Sequence, residues 1–415
     1  MRLTSIHVAA SALVALAAGC TNNGNENDGA VSAADPLSVS IDLTNPFFEP
    51  LGANGRACAN CHQADQGWTI TPAYVRARFD ATDGTDILFK VHDAATSPKA
   101  DVSTLEARRE AYKLILSRAV VRIGIAMPAT SEFELAGVDD PYGWASATQL
   151  SLYRRPLPTA NLAFAKTISW DARLTLPDKT IFQDLGEQAN RANKGHGQAT
   201  TDLPQETRDK IALFEFANFT ARRNAPNAGP LDADGALGGV FNMIFRSFSL
   251  SEMFDSWSTT ANGSERDRVR ASIARGAKIF GEPRLRRADG TMTACASCHD
   301  ANNVGSNSTS LATFDIGVSD ESRRSDDVPL YTFRNIATGE TRRLTDPGRG
   351  LITGKWSDLG RFKAPMLRDL AARAPYFHDG SARSLEEVVD HYKHRFNADL
   401  GGNERDDLVA FLSAL

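Results

Sequence analysis

The sequence predicts a mainly α-helical protein with two similar domains, and three observations carry this prediction. The chain has 415 residues, which exceeds the usual size of one domain, and its 42% hydrophobic and 23% charged residues are an ordinary globular composition. A five-residue Cys-x-x-Cys-His frame occurs twice, beginning at Cys58 and at Cys295, so each copy has room for its own domain. Around the second copy, apolar residues recur with the period of an α-helix.

The N-terminal residues resemble a secretory signal followed by a bacterial lipobox. Residues 8–18 form an apolar run that is too short to span a bilayer. The stretch Leu16–Cys20 resembles a lipobox, so we expect residues 1–19 to be removed and Cys20 to carry lipid on the periplasmic side of a bacterial envelope; cleavage without lipid is the alternative. Residues 20–45 are rich in Asn, Gly, Ser and Ala, which predicts a flexible tether.

The charge distribution bears on the partners. There are 46 basic and 51 acidic residues, giving a net charge of -5, and no run of Lys and Arg of the kind that binds nucleic acid. We therefore expect no nucleic-acid partner, and contact with a membrane only through the lipid on Cys20.

The two frames predict covalently attached haem. They read Cys58-Ala59-Asn60-Cys61-His62 and Cys295-Ala296-Ser297-Cys298-His299. Two thiols at this spacing can add to the two vinyl groups of one porphyrin, and the adjoining histidine then becomes the axial ligand of the iron. A zinc site or a redox-active thiol pair is the alternative, but neither requires a histidine directly after the second cysteine. The frames thus predict two haem c groups, with His62 and His299 as iron ligands.

Helical patterns surround the second frame, in a domain that we place at residues 261–415. Ser264 begins a helix with a capping pattern, and Val269, Ile273, Gly276 and Phe280 then share one face. Asn403 is expected to cap a last helix whose apolar face is Leu408, Phe411, Leu412 and Leu415. A helix with Gly-x-x-x-Phe, a Cys-x-x-Cys-His frame and a terminal apolar helix form the layout of a small cytochrome c; two unrelated amphipathic helices are the alternative.

Several further motifs resemble the di-haem bacterial cytochrome c peroxidase and MauG superfamily. Towards the C-terminus these are Lys363–Leu370 and Ala374–Gly380, and in the first half they are Leu157–Thr159, Trp170–Arg173 and Asp184–Ala189. The resemblance covers roughly residues 45–415, with residues 64–150 as an insertion.

The resemblance implies two cytochrome c-like haem domains packed around an inter-haem interface. The first, at residues 46–260 with the insertion at about 64–150, would bind hydrogen peroxide and split its O–O bond. The second would take electrons from a donor such as a small cytochrome c or a cupredoxin. Trp170 would lie between the haems as an electron relay, although a tryptophan in an apolar run is more often a core residue.

Tyr392 occupies the position at which the electron-transferring peroxidases have a methionine ligand to the second haem iron. Ser384 and Glu387 form a capping box for the helix that carries it. Seven residues after Leu385, Tyr392 returns to within about 20° of the same face. Tyrosine here resembles MauG, and an oxygen ligand favours ferric iron, whereas a thioether raises the potential. A purely packing role for Tyr392 is the alternative.

The distal side of the first haem departs from the family pattern. Glu187 belongs to the matched Gly-Glu-Gln-Ala stretch and is predicted to be catalytic, but the glutamate that should follow this stretch is missing. His196 lies near its place and has a suitable pKa for acid–base work, so we predict a distal role for it. The resemblance also implies a calcium ion between the domains, and this is in doubt because the family's asparagine ligand corresponds to Arg155.

The sequence thus predicts a di-haem enzyme that reduces hydrogen peroxide, or uses peroxide or oxygen to oxidise a protein or organic partner. A MauG-like protein modifier and a di-haem oxygenase resembling the rubber oxygenases both fit this class. A di-haem electron carrier or redox sensor without peroxide turnover is the alternative.

Overall fold

The computed structural model describes residues 41–245, 249–250, 252–259, 263–307 and 312–415. Cys20, the signal and most of the predicted tether lie outside these residues. Within the described part of the chain, no helix combines the length and the apolar character needed to cross a bilayer. The helices are α1 (Pro72–Thr82), α2 (Leu105–Ala111), α3 (Lys113–Arg118), α4 (Ile181–Gly195), α5 (Gln205–Ala217), α6 (Gly239–Phe245), α7 (Glu265–Gly281), α8 (Gly350–Thr353), α9 (Leu385–Arg395) and α10 (Glu404–Ala414).

The fold is helix-rich, as predicted, but it also contains small antiparallel sheets. The strands are β1 (Val121–Ile125), β2 (Phe133–Asp139), β3 (Leu150–Arg154), β4 (Asn224–Ala225), β5 (Gly229–Pro230), β6 (Leu285–Arg286), β7 (Met292–Thr293), β8 (Phe314–Asp315), β9 (Leu330–Asn335), β10 (Thr341–Leu344) and β11 (Arg361–Phe362). Strands β1 and β3 pair, and β2, β9 and β10 form a sheet in the order β10-β9-β2. The prediction of a mainly helical chain missed these strands because it rested on helical periodicity around the frames.

The helix pair predicted for the second half is confirmed. At the start of α7 the Ser264 backbone N–H donates to the Asp267 carboxylate at 2.8 Å, which is one half of the expected capping box. Gly276 lets α10 approach closely, since a Cβ atom there would lie 2.0 Å from the Asp407 carbonyl oxygen. Phe280 and Phe411 pack with their ring centroids 5.5 Å apart. Asn403 precedes α10 but makes no side-chain capping bond.

A second helix pair, α4 and α5, forms the corresponding part of the first half. Thr180 and Gln183 form a capping box at the start of α4, with the Thr180 backbone N–H donating to the Gln183 side chain at 3.0 Å. The helix ends where His196 takes the C-cap position. These two helices carry the polar side chains that line the first cavity described below.

The segment predicted as an insertion, residues 64–150, folds as part of the whole. Helices α1 to α3 enclose an apolar core that includes Phe79, Leu88 and Ile115. Strand β2 then pairs with β9, with Glu134 opposite Arg334, and a bulge interrupts the pairing after Leu135. The insertion is thereby joined by a sheet to the second half of the chain.

Candidate functional site

The first frame is a short 3₁₀ turn that presents its histidine in one tautomer. The Asn60 side chain accepts the Ala57 backbone N–H at 2.7 Å and stabilises the turn. The His62 Nδ1 atom lies 3.1 Å from the Trp68 carbonyl oxygen. A carbonyl oxygen can only accept, so Nδ1 carries the proton and Nε2 keeps a free lone pair.

The second frame repeats this geometry. Ser297 takes the place of the asparagine and accepts the Ala294 backbone N–H at 3.3 Å. The His299 Nδ1 atom lies 3.2 Å from the Pro365 carbonyl oxygen, which again leaves Nε2 unprotonated. Sequence reasoning found both histidines but not their carbonyl partners: Trp68 is six residues from His62, whereas Pro365 is 66 residues from His299.

Burial keeps the ligating groups of both frames neutral. It lowers the pKa of His62 and of His299 to about 4, so both rings are uncharged at neutral pH, the form that binds a metal. None of the four frame cysteines forms a disulfide. The two pairs line different cavities, an arrangement that does not fit a single four-thiolate zinc site.

The first cavity brings His196 to the first frame. The cavity is lined by Cys58, Cys61 and His62 together with His196 and Gln188. It adjoins a polar cavity of ≈ 560 Å³ that shares His196 and Gln188 in its wall. His196 is therefore placed where a side chain can act on a small molecule that enters from that side.

Asp93, from the insertion, fixes the orientation of the His196 ring. The His196 Nδ1 atom lies 2.8 Å from a carboxylate oxygen of Asp93, and Arg56 donates to both oxygens of the same carboxylate at 2.7 and 2.6 Å. Burial alone would raise the pKa of Asp93. However, the hydrogen bond from His196, the proximity of His92 and the charge of Arg56 bring that pKa far below its usual range. An ionised carboxylate accepts the Nδ1 proton, so the Nε2 atom of His196 is left as a proton acceptor.

Glu215 on α5 also lines the first cavity. It is 2% exposed, and its Oε2 atom has no hydrogen-bond partner among the described residues. Burial raises the pKa of Glu215 to about 8, so the carboxyl group is protonated at neutral pH. The local sequence around Glu215 gives no sign that this side chain faces the cavity.

The structure turns Glu187 away from the first cavity. Its carboxylate accepts from Arg191 at 2.6 Å and from Arg208 at 3.4 Å, and Glu187 is not among the residues that line the cavity. The next residue, Gln188, does line it. Neighbouring residues on a helix point about 100° apart, so Gln188 can face the cavity while Glu187 faces away from it.

The second cavity, of ≈ 590 Å³, brings Tyr392 to the second frame. Leu385, Val389 and Tyr392 line it together, which confirms the face predicted from the helical phase of α9. Burial, and then the nearby thiols of the frame, raise the pKa of the Tyr392 hydroxyl, so it is a phenol in the absence of a metal. His391 does not line this cavity, and its Nε2 atom lies 2.8 Å from the Ile316 carbonyl oxygen.

Trp170 lies in the wall that the two cavities share. Its indole N–H donates to the Arg155 carbonyl oxygen at 2.8 Å, and its own carbonyl accepts the Lys363 backbone N–H at 2.8 Å. The other residues that line both cavities are Arg155, Pro156, Leu157, Pro158, Lys363 and Met366. Trp170 thus lines the cavities of both frames, and its role as a relay between the haems stays a prediction.

Comparison with known proteins finds relatives that match parts of this chain. The chain is 29% identical to cytochrome-c peroxidase IdrP1 of Pseudomonas sp. (strain SCT) over 141 residues, covering 29% of this chain and 36% of that protein. It is 45% identical to the methylamine utilization protein MauG of Methylorubrum extorquens over 107 residues, covering 19% of this chain and 30% of that protein.

The chain is similar to members of the di-haem cytochrome c peroxidase and MauG superfamily. The matches span only about a third of the length of these two relatives. A solved MauG-like protein associated with microbial copper homeostasis aligns with a TM-score of 0.43 and 17% identity, over 89% of this chain and 86% of that one. No family model matches the chain.

The residues of both cavities fit haem. Each cavity presents the two cysteines of a Cys-x-x-Cys-His frame and one neutral histidine with its Nε2 lone pair available. A hydrogen bond from Nδ1 to a carbonyl oxygen is usual for an imidazole that binds a metal, because it fixes the ring orientation and raises the basicity of the ring.

Proposed function

We propose that this protein is a di-haem c-type oxidoreductase of the peroxidase type. Its two domains would pack around the wall that contains Trp170, with one covalent haem c on Cys58 and Cys61 and the other on Cys295 and Cys298. The protein would reduce hydrogen peroxide, or use it to oxidise a protein or organic partner. The observation that carries the proposal is the hydrogen bond between buried Asp93 and the half-exposed His196 in the cavity of the first frame, because a carrier of electrons alone needs no acid–base group there.

In this proposal a haem bound in the first cavity would supply the iron and the electrons that divide the O–O bond. His196 Nε2 would accept the proton from one peroxide oxygen and deliver it to the other oxygen, which would leave as water. Asp93 holds the Nδ1 proton, so the ring keeps the tautomer that this transfer needs. Each peroxide consumes two electrons and two further protons to give two water molecules.

The second cavity would hold the haem that exchanges electrons with the outside. His299 and Tyr392 would hold its iron, and a phenolic oxygen would favour the ferric state. Trp170 would carry oxidising equivalents between the two sites, since an indole is among the more easily oxidised side chains. A small cytochrome c or a cupredoxin is the donor we propose.

The protein would work on the periplasmic side of a bacterial envelope. Two Cys-x-x-Cys-His frames and a signal-like N-terminus support this placement, since c-type haem is attached outside the cytoplasm. Lipid on Cys20 would anchor it, and Cys20→Ser should then move the protein from the membrane fraction to the soluble fraction.

An EPR spectrum of the ferric protein, recorded before and after hydrogen peroxide is added, tests the proposed function. We expect a high-spin signal from the first haem that disappears with peroxide, and a low-spin signal from the second. Two low-spin signals that are indifferent to peroxide would instead identify an electron carrier or sensor.

A further inference from the structure

Arg155 forms a junction between the two cavities. Its side chain is 5% exposed and lines both of them. The Nη1 atom donates to the Arg118 carbonyl oxygen at 3.0 Å, and the Nη2 atom donates to the carbonyl oxygens of Ile70 at 2.9 Å and Arg373 at 3.1 Å. Carbonyl oxygens from three separate segments of the chain therefore converge on one guanidinium.

This guanidinium is held by carbonyl dipoles rather than by a counter-ion. Among the described residues, no carboxylate forms an ion pair with Arg155 within 4.0 Å. Burial, and then the charge of Arg373, lower the pKa of Arg155 to about 9, which still leaves the side chain charged at neutral pH. A buried charge is costly unless it is fully hydrogen-bonded, and here the carbonyl oxygens provide that compensation.

Converging carbonyl oxygens are also the ligands that calcium prefers, and the resemblance to the superfamily implies calcium at this junction. Ca²⁺ requires roughly six to eight oxygen ligands at about 2.3–2.6 Å. Here the guanidinium itself occupies the space enclosed by the carbonyl oxygens of Ile70, Arg118 and Arg373. Among the described residues, no group of three or more His, Cys, Asp or Glu side chains could hold a metal ion. The junction does not fit calcium.

We propose that the positively charged Arg155 side chain takes the place of a calcium ion at this junction. The two halves of the protein are then joined without calcium. The backbone of the same residue serves the same junction: its N–H donates to the His378 carbonyl oxygen at 2.6 Å, and its carbonyl accepts the Trp170 indole N–H at 2.8 Å. A covalently fixed cation cannot be removed by a chelator. The proposal does not depend on peroxide turnover.

The test measures calcium content and thermal stability of the purified holoprotein. Wild-type protein should carry no calcium after gel filtration, and its Tm should be the same in EGTA and in CaCl₂. Arg155→Asn removes the guanidinium, leaves three carbonyl oxygens without donors and adds an amide oxygen. This variant should have a lower Tm in EGTA, and CaCl₂, but not MgCl₂, should restore part of the loss.

Arg368 provides a matched control. It too is buried, and its guanidinium donates to the carbonyl oxygens of Met243 at 2.7 Å and Asn303 at 3.0 Å. Arg368→Asn should lower the Tm by an amount that does not depend on calcium.

Three results would overturn the proposal: one calcium per wild-type chain, a wild-type Tm that falls in EGTA, or an Arg155→Asn variant whose Tm is indifferent to CaCl₂. If Arg155→Asn does not fold, Arg155→Lys keeps the charge and should show the same Tm in EGTA and in CaCl₂. A calcium-dependent Tm in that variant would also contradict the proposal.

Discussion

The Asp93→Asn substitution tests two effects of the buried Asp93 carboxylate: its contribution to stability and its orientation of the His196 ring. Asparagine keeps the size of the side chain but removes the negative charge that faces His196 and Arg56. The Arg56 and Asp93 side chains are both 4% exposed, so the substitution leaves a buried guanidinium without its counter-ion. Breaking a buried pair in this way typically costs about 3–5 kcal/mol of stability. The asparagine amide can also donate to the His196 Nδ1 atom, which would move the ring proton to Nε2.

The His196→Gln variant separates the effect on catalysis from the effect on stability. The His196 side chain is 42% exposed, and its removal leaves the Arg56–Asp93 pair in place, so stability should change by less than about 1 kcal/mol. Peroxide turnover should nevertheless fall by about 10²–10⁴-fold, the usual contribution of a positioned acid–base group. Asp93→Asn should lose turnover to a similar extent and stability as well.

Urea denaturation of the holoproteins and steady-state peroxide reduction with an artificial electron donor give the two measurements. Wild-type turnover in His196→Gln, with both haems retained, would refute the acid–base role of His196. Unchanged stability in Asp93→Asn would refute the buried ion pair.

The low pKa of Asp93 also determines how the contribution of this residue to stability changes with pH. Its folded-state pKa is depressed, so its contribution to stability is fully present above the unfolded-state pKa of about 3.9. That contribution is lost as the pH falls through the lower, folded-state value. Urea midpoints measured from pH 7 downwards should therefore show a loss in acid that Asp93→Asn does not share.

Three further substitutions test the remaining parts of the proposed function. Tyr392→Met should raise the reduction potential of the second haem and produce the sulfur-to-iron absorption of a His/Met haem; an unchanged spectrum and potential would show that Tyr392 is not a ligand. Trp170→Phe should fold and retain both haems but turn over more slowly, and turnover equal to wild type would contradict the relay. Replacement of Cys58 and Cys61 with Ala should remove one of two haems in a pyridine haemochrome count, whereas a count of one in wild-type protein would contradict the di-haem assignment.

The parts of the site that the sequence predicted are those set by local spacing. The two frames, and the inward face of Tyr392, follow from residues within two helical turns of one another. The Glu187 prediction relied on position within a motif, and the adjacent Gln188 faces the cavity instead because successive helical residues point in different directions. A local sequence pattern predicts which face of a helix points inward, but it does not predict which residues lie opposite that face.

The contacts that sequence reasoning missed act across long separations. Asp93 meets His196 over 103 positions, and Arg155 meets Arg373 over 218. The sequence identified Arg155 only as a replacement for a calcium ligand, and Asp93 lies in a segment that the family resemblance set aside as an insertion. The roles of Asp93 and Arg155 depend on which groups the fold buries next to them, and this is a property of the whole fold.

The sheet of β2, β9 and β10 has a consequence for any attempt to study the two halves separately. A cut near residue 260 would place β2 on one fragment and its partner β9 on the other. Each fragment would then present a row of unpaired backbone N–H and C=O groups, a template for pairing with other copies of itself. Fragments expressed alone should tend to aggregate, whereas co-expressed fragments have a route to reassemble through the same strand pairing.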